Sequence, residues 1–227
     1  MVGSAGHDQE LDGIVNKLVL HGYWRSSATY RVRIALALKG ATFDQAPHDL
    51  RLGAQRDAEY LALAPQGLVP VLETQDGALT QSLAILEWLE DRFPEPALLP
   101  AQPGARAIVR AMAATVACDV HPLNNLRVLK ALRADFSASE DQVEAWIARW
   151  ICEGFTALEV LIGRHGGAFA FGDALTIADC CLVPQVYAAR RFKVDLRSFP
   201  AIMDVDQRAR ALEAFATAHP DGQPDAD

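Results

Sequence analysis

The 227-residue sequence is poor in cysteine and lysine and has no long apolar run. Its four cysteines, Cys118, Cys152, Cys180 and Cys181, are too few and too irregularly spaced for a secreted disulfide framework or a zinc site. A reducing cytoplasm is the expected setting. No stretch of about 18 uninterrupted apolar residues occurs, so no membrane span is expected. The first residues lack a basic stretch followed by an apolar one, so no signal peptide is expected either. Basic side chains form no run, and the net charge of −8 argues against nucleic acid as a partner. Only 4 of the 21 basic residues are lysines. Arginine suits bidentate grip on a carboxylate, although a GC-rich genome yields the same bias. What is present is a 51% hydrophobic and 22% charged chain, enough for a globular core and for two small domains rather than one large one.

Residues 1–16 are polar and patternless, and are read as a loose extension outside the fold. A buried strand is expected at 17–23. A helix follows, in which Val32, Ala35, Leu36 and Leu38 recur near helical spacing while Arg31, Arg33 and Lys39 break up the opposite face. Gly40 stops it. A second strand at 43–50 and a connecting helix lead to a third strand starting near Leu68. Asp76-Gly77 signals a hairpin into a short fourth strand, before a helix that opens at Gln81 and Ser82. This order, β-α-β, a connecting helix, then β-β-α, is a thioredoxin-like α/β unit over residues 17–100. Pro94, Pro96, Pro100 and Pro103 mark a linker. From 104 to 220 no convincing strand occurs, and helices are expected at 105–133, 140–163, 177–190 and 200–215, an all-α bundle. Thr176-Ile177-Ala178-Asp179 reads as a capping box. The four cysteines read as small core residues, and 220–227 as a polar tail with no folding signal.

Some residues bear chemistry. Ser26 and Ser27 fall between strand and helix, where free backbone N–H groups and a positive helix end favour an anion and would depress a thiol pKa. A plain N-cap explains one serine equally well, and spacing leaves both readings open. Ser82 poses the same choice between carboxylate docking and capping. Pro70 is by itself a strand-start proline. A lone histidine such as His121 is more often structural, and Pro122 after it can mean only a kink.

The runs R-S-S-A-T-Y-R-V-R-I-A-L-A-L-K-G at 25–40, L-V-P at 68–70, Q-S-L-A-I-L-E-W-L-E at 81–90, H-P-L-N-N-L-R-V-L-K at 121–130 and R-R-F-K-V-D-L at 190–196 resemble the zeta class of glutathione transferases over residues 17–220. The resemblance implies a thioredoxin-like domain followed by a helical domain, assembled as a homodimer. It implies that Ser26 activates the glutathione thiol, with Ser27 as cap or second donor. Val69 before a cis Pro70, with Gln55, Gln81, Ser82, His121, Asn125 and Arg127, would bind glutathione, Gln81 and Ser82 at its γ-glutamyl end. Tyr23 would be a packed aromatic. Arg25 and Arg191 would grip the carboxylate and keto oxygens of a dicarboxylate substrate, with Arg190 a solvated neighbour. Many members carry cysteine where this chain has Ala28, so the reaction here cannot require that thiol. The implied activity is glutathione-dependent cis–trans isomerisation of a 4-maleyl-3-oxo acid, maleylacetoacetate ahead of maleylpyruvate. General glutathione transfer and a non-catalytic interaction module are the other readings.

Overall fold

Leu18 and Leu20 alternate with Val19 and His21 along strand β1 (Leu18–Gly22), so one face of the strand enters the core while the other carries His21. The computed structural model describes residues 18–227; the expected extension at 1–16, and Lys17, lie outside the described residues. Helix α1 (Ser27–Leu38) crosses over to β2 (Phe43–Pro47), which runs parallel to β1 as such a crossover permits. A single 3-10 turn at Ala54–Arg56 and a short α2 (Ala58–Leu63) lead to β3 (Val71–Thr74), antiparallel to β1. The turn at Asp76-Gly77, with Gly77 at φ +108°, returns the chain as β4 (Gly77–Thr80). The sheet order is β2-β1-β3-β4, and α3 (Ser82–Arg92) follows. This is the thioredoxin-like arrangement.

The rest is helical: α4 (Pro103–Ala114), α5 (Leu126–Asp135), α6 (Glu140–His165), α7 (Ile177–Arg191), α8 (Pro200–Arg210) and α9 (Glu213–Thr217). Thr176 and Asp179 form the expected capping box at the start of α7. One continuous apolar core runs from Leu20 and Leu72 of the sheet through α1 and α3 to α4, α6, α7 and α8.

Several expectations are corrected. The helix expected at 105–133 breaks into α4, a π-helical turn at Thr115–Val120, a 3-10 turn at His121–Asn124, and α5. Pro122 has no N–H to continue the ladder, and its ring collides with the preceding turn. The strand expected at 43–50 ends at Pro47, and the helix expected at 200–215 divides into α8 and α9. Arg31, Arg33 and Lys39 do not face water: all three are buried, because α3, α7 and α9 pack around α1. Arg33 donates to the carbonyls of Trp24 and Ala218, and Lys39 donates to Glu90 at 2.6 Å and to the Pro96 carbonyl at 2.7 Å. Glu90 in turn accepts the N–H groups of Leu98 and Leu99, which ties the proline-rich segment to α1 and α3. The tail at 220–227 is also held: Asp225 accepts the Trp24 N–H at 2.9 Å, and buried Gln223 bridges to Gln45 and to the carbonyls of Thr217 and His219. Composition gave no sign of this, because Asp225 and Gln223 meet Trp24 and Gln45 across 201 and 178 positions. Of the cysteines, Cys180 and Cys181 are in the core, but Cys118 is exposed and Cys152 only partly buried.

Candidate active site

A cleft of about 360 Å³, a volume suited to a small ligand, lies between the thioredoxin-like unit and the segment around the helix break. Three corners of the first unit build one wall. The first is the start of α1, where Ala28 and Arg31 line the cleft. The second is Leu68-Val69-Pro70. The Val69–Pro70 bond is cis as expected, and the Tyr60 hydroxyl donates to the Leu68 carbonyl at 2.7 Å. The third is the β4–α3 corner. Gln81 sits at φ +68°, a left-handed conformation that costs a non-glycine residue about 1–3 kcal/mol, and its side chain donates to Gln66 at 2.7 Å. That turn starts α3 at Ser82, so the first N–H groups of the helix, which have no intrahelical partner, sit at the cleft wall. The opposite wall comes from the broken helix: Ala117, Cys118, His121, Pro122, Asn125 and Arg127. Asn125 also caps α5, accepting the Arg127 N–H at 3.1 Å.

Of the residues expected to bind, Val69, Pro70, Gln81, Ser82, His121, Asn125 and Arg127 therefore share one cleft, while Arg25, Ser26, Ser27, Gln55 and Arg191 are not among its lining residues. Ser26 caps α1, its Oγ accepting the Thr29 N–H at 3.2 Å. That use occupies a lone pair only. The hydroxyl proton stays available, so capping and donation to a thiolate are compatible. Ser27 is buried in the first turn of α1. Gln55 sits in the 3-10 turn with its amide oxygen buried and unpartnered.

Arg25 stacks over the Trp24 ring at 5.3 Å and Arg191 over Phe192 at 4.5 Å. Burial lowers the Arg191 pKa, and the nearby Arg25 charge lowers it further. Neither arginine forms an ion pair with a carboxylate among the described residues, so both remain free to take one from a ligand. Tyr23 is buried, as expected for a packed aromatic. Arg190 is exposed, as expected, but it is not idle: it donates to the fully buried Asp206 at 2.6 Å, because α8 packs on α7 there.

The sequence reading missed Arg31. It is 1% exposed, donates to Ser82 Oγ at 3.1 Å and pairs with His121 Nδ1 at 3.0 Å. A signal existed: Val32, Ile34, Ala35 and Leu36 leave α1 apolar nearly all round, so a cation among them has no polar face to occupy. Cys118, read as core, is a second cleft residue that was missed. His121 is held neutral, its pKa pushed down to about 3 by burial first, then by Arg31 and Arg191. Among the described residues no Asp or Glu lines the cleft, whereas Arg31 and Arg127 do, although the whole chain carries −8. An acid-free wall with a buried cation and open helix N–H groups fits an anionic, peptide-like ligand such as glutathione.

Residues 25–92 match the model of the glutathione S-transferase N-terminal domain. A maleylacetoacetate isomerase of Pseudomonas aeruginosa is 49% identical over 91% of this chain and 97% of its own length. A maleylpyruvate isomerase of a Ralstonia species is 48% identical over 91% and 98%. Among solved structures, the holo form of a zeta-class bacterial maleyl pyruvate isomerase superposes with a TM-score of 0.90 at 47% identity, covering 92% of this chain and 100% of that one. A maleylacetoacetate isomerase from Anaeromyxobacter dehalogenans, solved with dicarboxyethyl glutathione and citrate in its active site, gives 0.84 at 44% identity, covering 94% and 96%.

Proposed function

The chain belongs to the zeta class of glutathione transferases, a glutathione-dependent isomerase by its relatives, and on that premise we propose that it converts maleylacetoacetate to fumarylacetoacetate in tyrosine and phenylalanine breakdown. The observation that carries the reading is the acid-free cleft in which Val69-Pro70, Ser82 and His121 face one another beside the serine-led start of α1. Glutathione, when bound, supplies a thiolate whose transient addition makes the cis double bond a single bond that can rotate.

The protein's share is binding and charge. Gln81 and Ser82 hold the γ-glutamyl end, the Val69 backbone pairs with the peptide, and Gln55, His121, Asn125 and Arg127 complete the grip. The Ser26 hydroxyl and the α1 N-terminus hold a negative sulfur, with Ser27 as second donor or cap. Arg25 and Arg191 take the substrate carboxylate and keto oxygens and meet negative charge that grows there. The relative solved with a dicarboxyethyl glutathione and citrate supports this assignment of anionic groups. We divide the chain at the proline-rich segment into a glutathione-binding domain (17–100) and a substrate-binding helical domain (104–220). We take it to act as a cytoplasmic homodimer; among the described residues no helix is long and apolar enough to cross a membrane.

The test is turnover of maleylacetoacetate with and without glutathione, which should require the thiol. Absence of glutathione-dependent turnover would sink the reading. The Ralstonia relative and the 0.90 superposition favour maleylpyruvate as a second substrate, and the same assay with that compound ranks the two. Retention on a glutathione column argues against an interaction module without a thiol site.

A further inference from the structure

We propose that Arg31 is a positioning residue whose buried guanidinium fixes Ser82 and His121 as hydrogen-bond donors toward a ligand carboxylate. A guanidinium only donates and is never deprotonated in a protein. Its Nη2–H to His121 Nδ1, at 3.0 Å, therefore requires Nδ1 to be bare and puts the ring proton on Nε2. Its Nη1–H to Ser82 Oγ, at 3.1 Å, occupies an oxygen lone pair and leaves the hydroxyl proton to donate elsewhere. A free imidazole has two tautomers, and a free hydroxyl can donate or accept. With Arg31 in place the imidazole is held in one tautomer and the hydroxyl proton is turned away from the guanidinium, and both residues line the cleft.

The charge points the same way. No carboxylate among the described residues pairs with Arg31; the ionisable groups that act on it are the Cys118 and Cys181 thiols, and its Nε is buried without a partner. A buried cation with neutral partners alone is costly. The counter-charge comes from the ligand, which the two polarised donors meet on the cleft side. The inference rests on the reading that this cleft takes glutathione, and it assigns the γ-glutamyl carboxylate to this place. Arg31 and Arg191 both oppose protonation of His121, so the ring keeps its Nδ1 acceptor in mild acid.

The test uses the full chain, nitrogen-15 imidazole NMR and calorimetry with glutathione. In the wild type His121 carries its proton on Nε2 and does not titrate as the pH falls through the ordinary imidazole range. Arg31→Met mixes the tautomers, restores titration and weakens glutathione binding roughly 10- to 100-fold. Its kinetic loss falls on KM for glutathione more than on kcat. Should Arg31→Met fail to fold, the wild-type spectrum and a second pair of variants decide. His121→Gln, with an oxygen to accept from Arg31 and an N–H to donate, should bind glutathione at least about fivefold tighter than His121→Leu. A proton on Nδ1 in the wild type, equal binding by the two His121 variants, or wild-type affinity in Arg31→Met overturns the inference. If the wild type binds no glutathione, it is the functional reading that fails, and the ligand assigned here falls with it.

Discussion

Helices α1 and α6 carry similar side chains to opposite ends. On α6 the buried residues Val143, Ile147, Ile151, Phe155, Leu158 and Ile162 recur every three or four positions, and the charges between them face water except Glu159, which accepts the Ala201 and Ile202 N–H groups. Its Arg149–Glu153 pair is 67% and 54% exposed, and such pairs add little stability. On α1 almost every residue is buried, and the cations on it and at its C-cap became structural fixtures: Arg31 at the cleft, Arg33 on the carbonyls of Trp24 and Ala218, and the capping Lys39 on Glu90. A charge on a helix is cheap surface or essential interior according to how many elements pack around it. Only the one-sided helix announces its solvent face through periodicity.

Substitutions can break this contrast. Lys39→Met should cost the most, about 3–5 kcal/mol in denaturant unfolding, because it leaves the Glu90 carboxylate, 8% exposed, without its cation. Ser26→Ala should lower isomerase turnover roughly 100-fold through loss of a donor to developing negative charge. The same variant should lose about 1 kcal/mol of stability with the α1 cap. If turnover and glutathione affinity both stay near wild type, Ser26 does not activate the thiol.

Acid should sharpen the picture at His121. Its folded pKa of about 3 lies below the ordinary 6.5, so between these values the unfolded chain binds more protons. The contribution of His121 is complete above pH 6.5 and is lost as the pH falls toward 3. Between pH 7 and 4 the wild type should therefore lose more unfolding free energy than His121→Gln. Asp225→Ala, which frees the tail from the Trp24 N–H, should cost about 1 kcal/mol. Arg149→Ala on α6 should change stability by less than about 0.5 kcal/mol; a larger loss would erase the distinction between the helices.

Much of the architecture was legible. The capping box at Thr176, the apolar period of α6 and the turn at Asp76-Gly77 are local signals, carried by residues within a few positions of one another. Ser26, Val69-Pro70 and Gln81-Ser82 could be singled out for the same reason: each marks an element boundary, where free backbone groups are exposed. The break around Pro122 was visible as a possible kink, but its extent across Thr115–Asn124 was not, because both flanks have good helical composition. Arg31 was misplaced because its partners, Ser82 and His121, lie 51 and 90 positions away. The tail was dismissed on similar grounds, since Asp225 meets Trp24 across 201 positions.

The scarcity of cysteine and lysine and the arginine bias were properties of the sequence alone, as were the order of elements and the residues at their edges, because hydrophobic period, caps and turns act locally. Which arginines matter was decided by tertiary structure. Packing of α3, α7 and α9 around α1 put one guanidinium, without a counter-ion among the described residues, against two cleft residues, and left the described acidic side chains off the cleft walls. Charge acts through space and gains strength with burial, so its meaning depends on neighbours that chain order does not reveal.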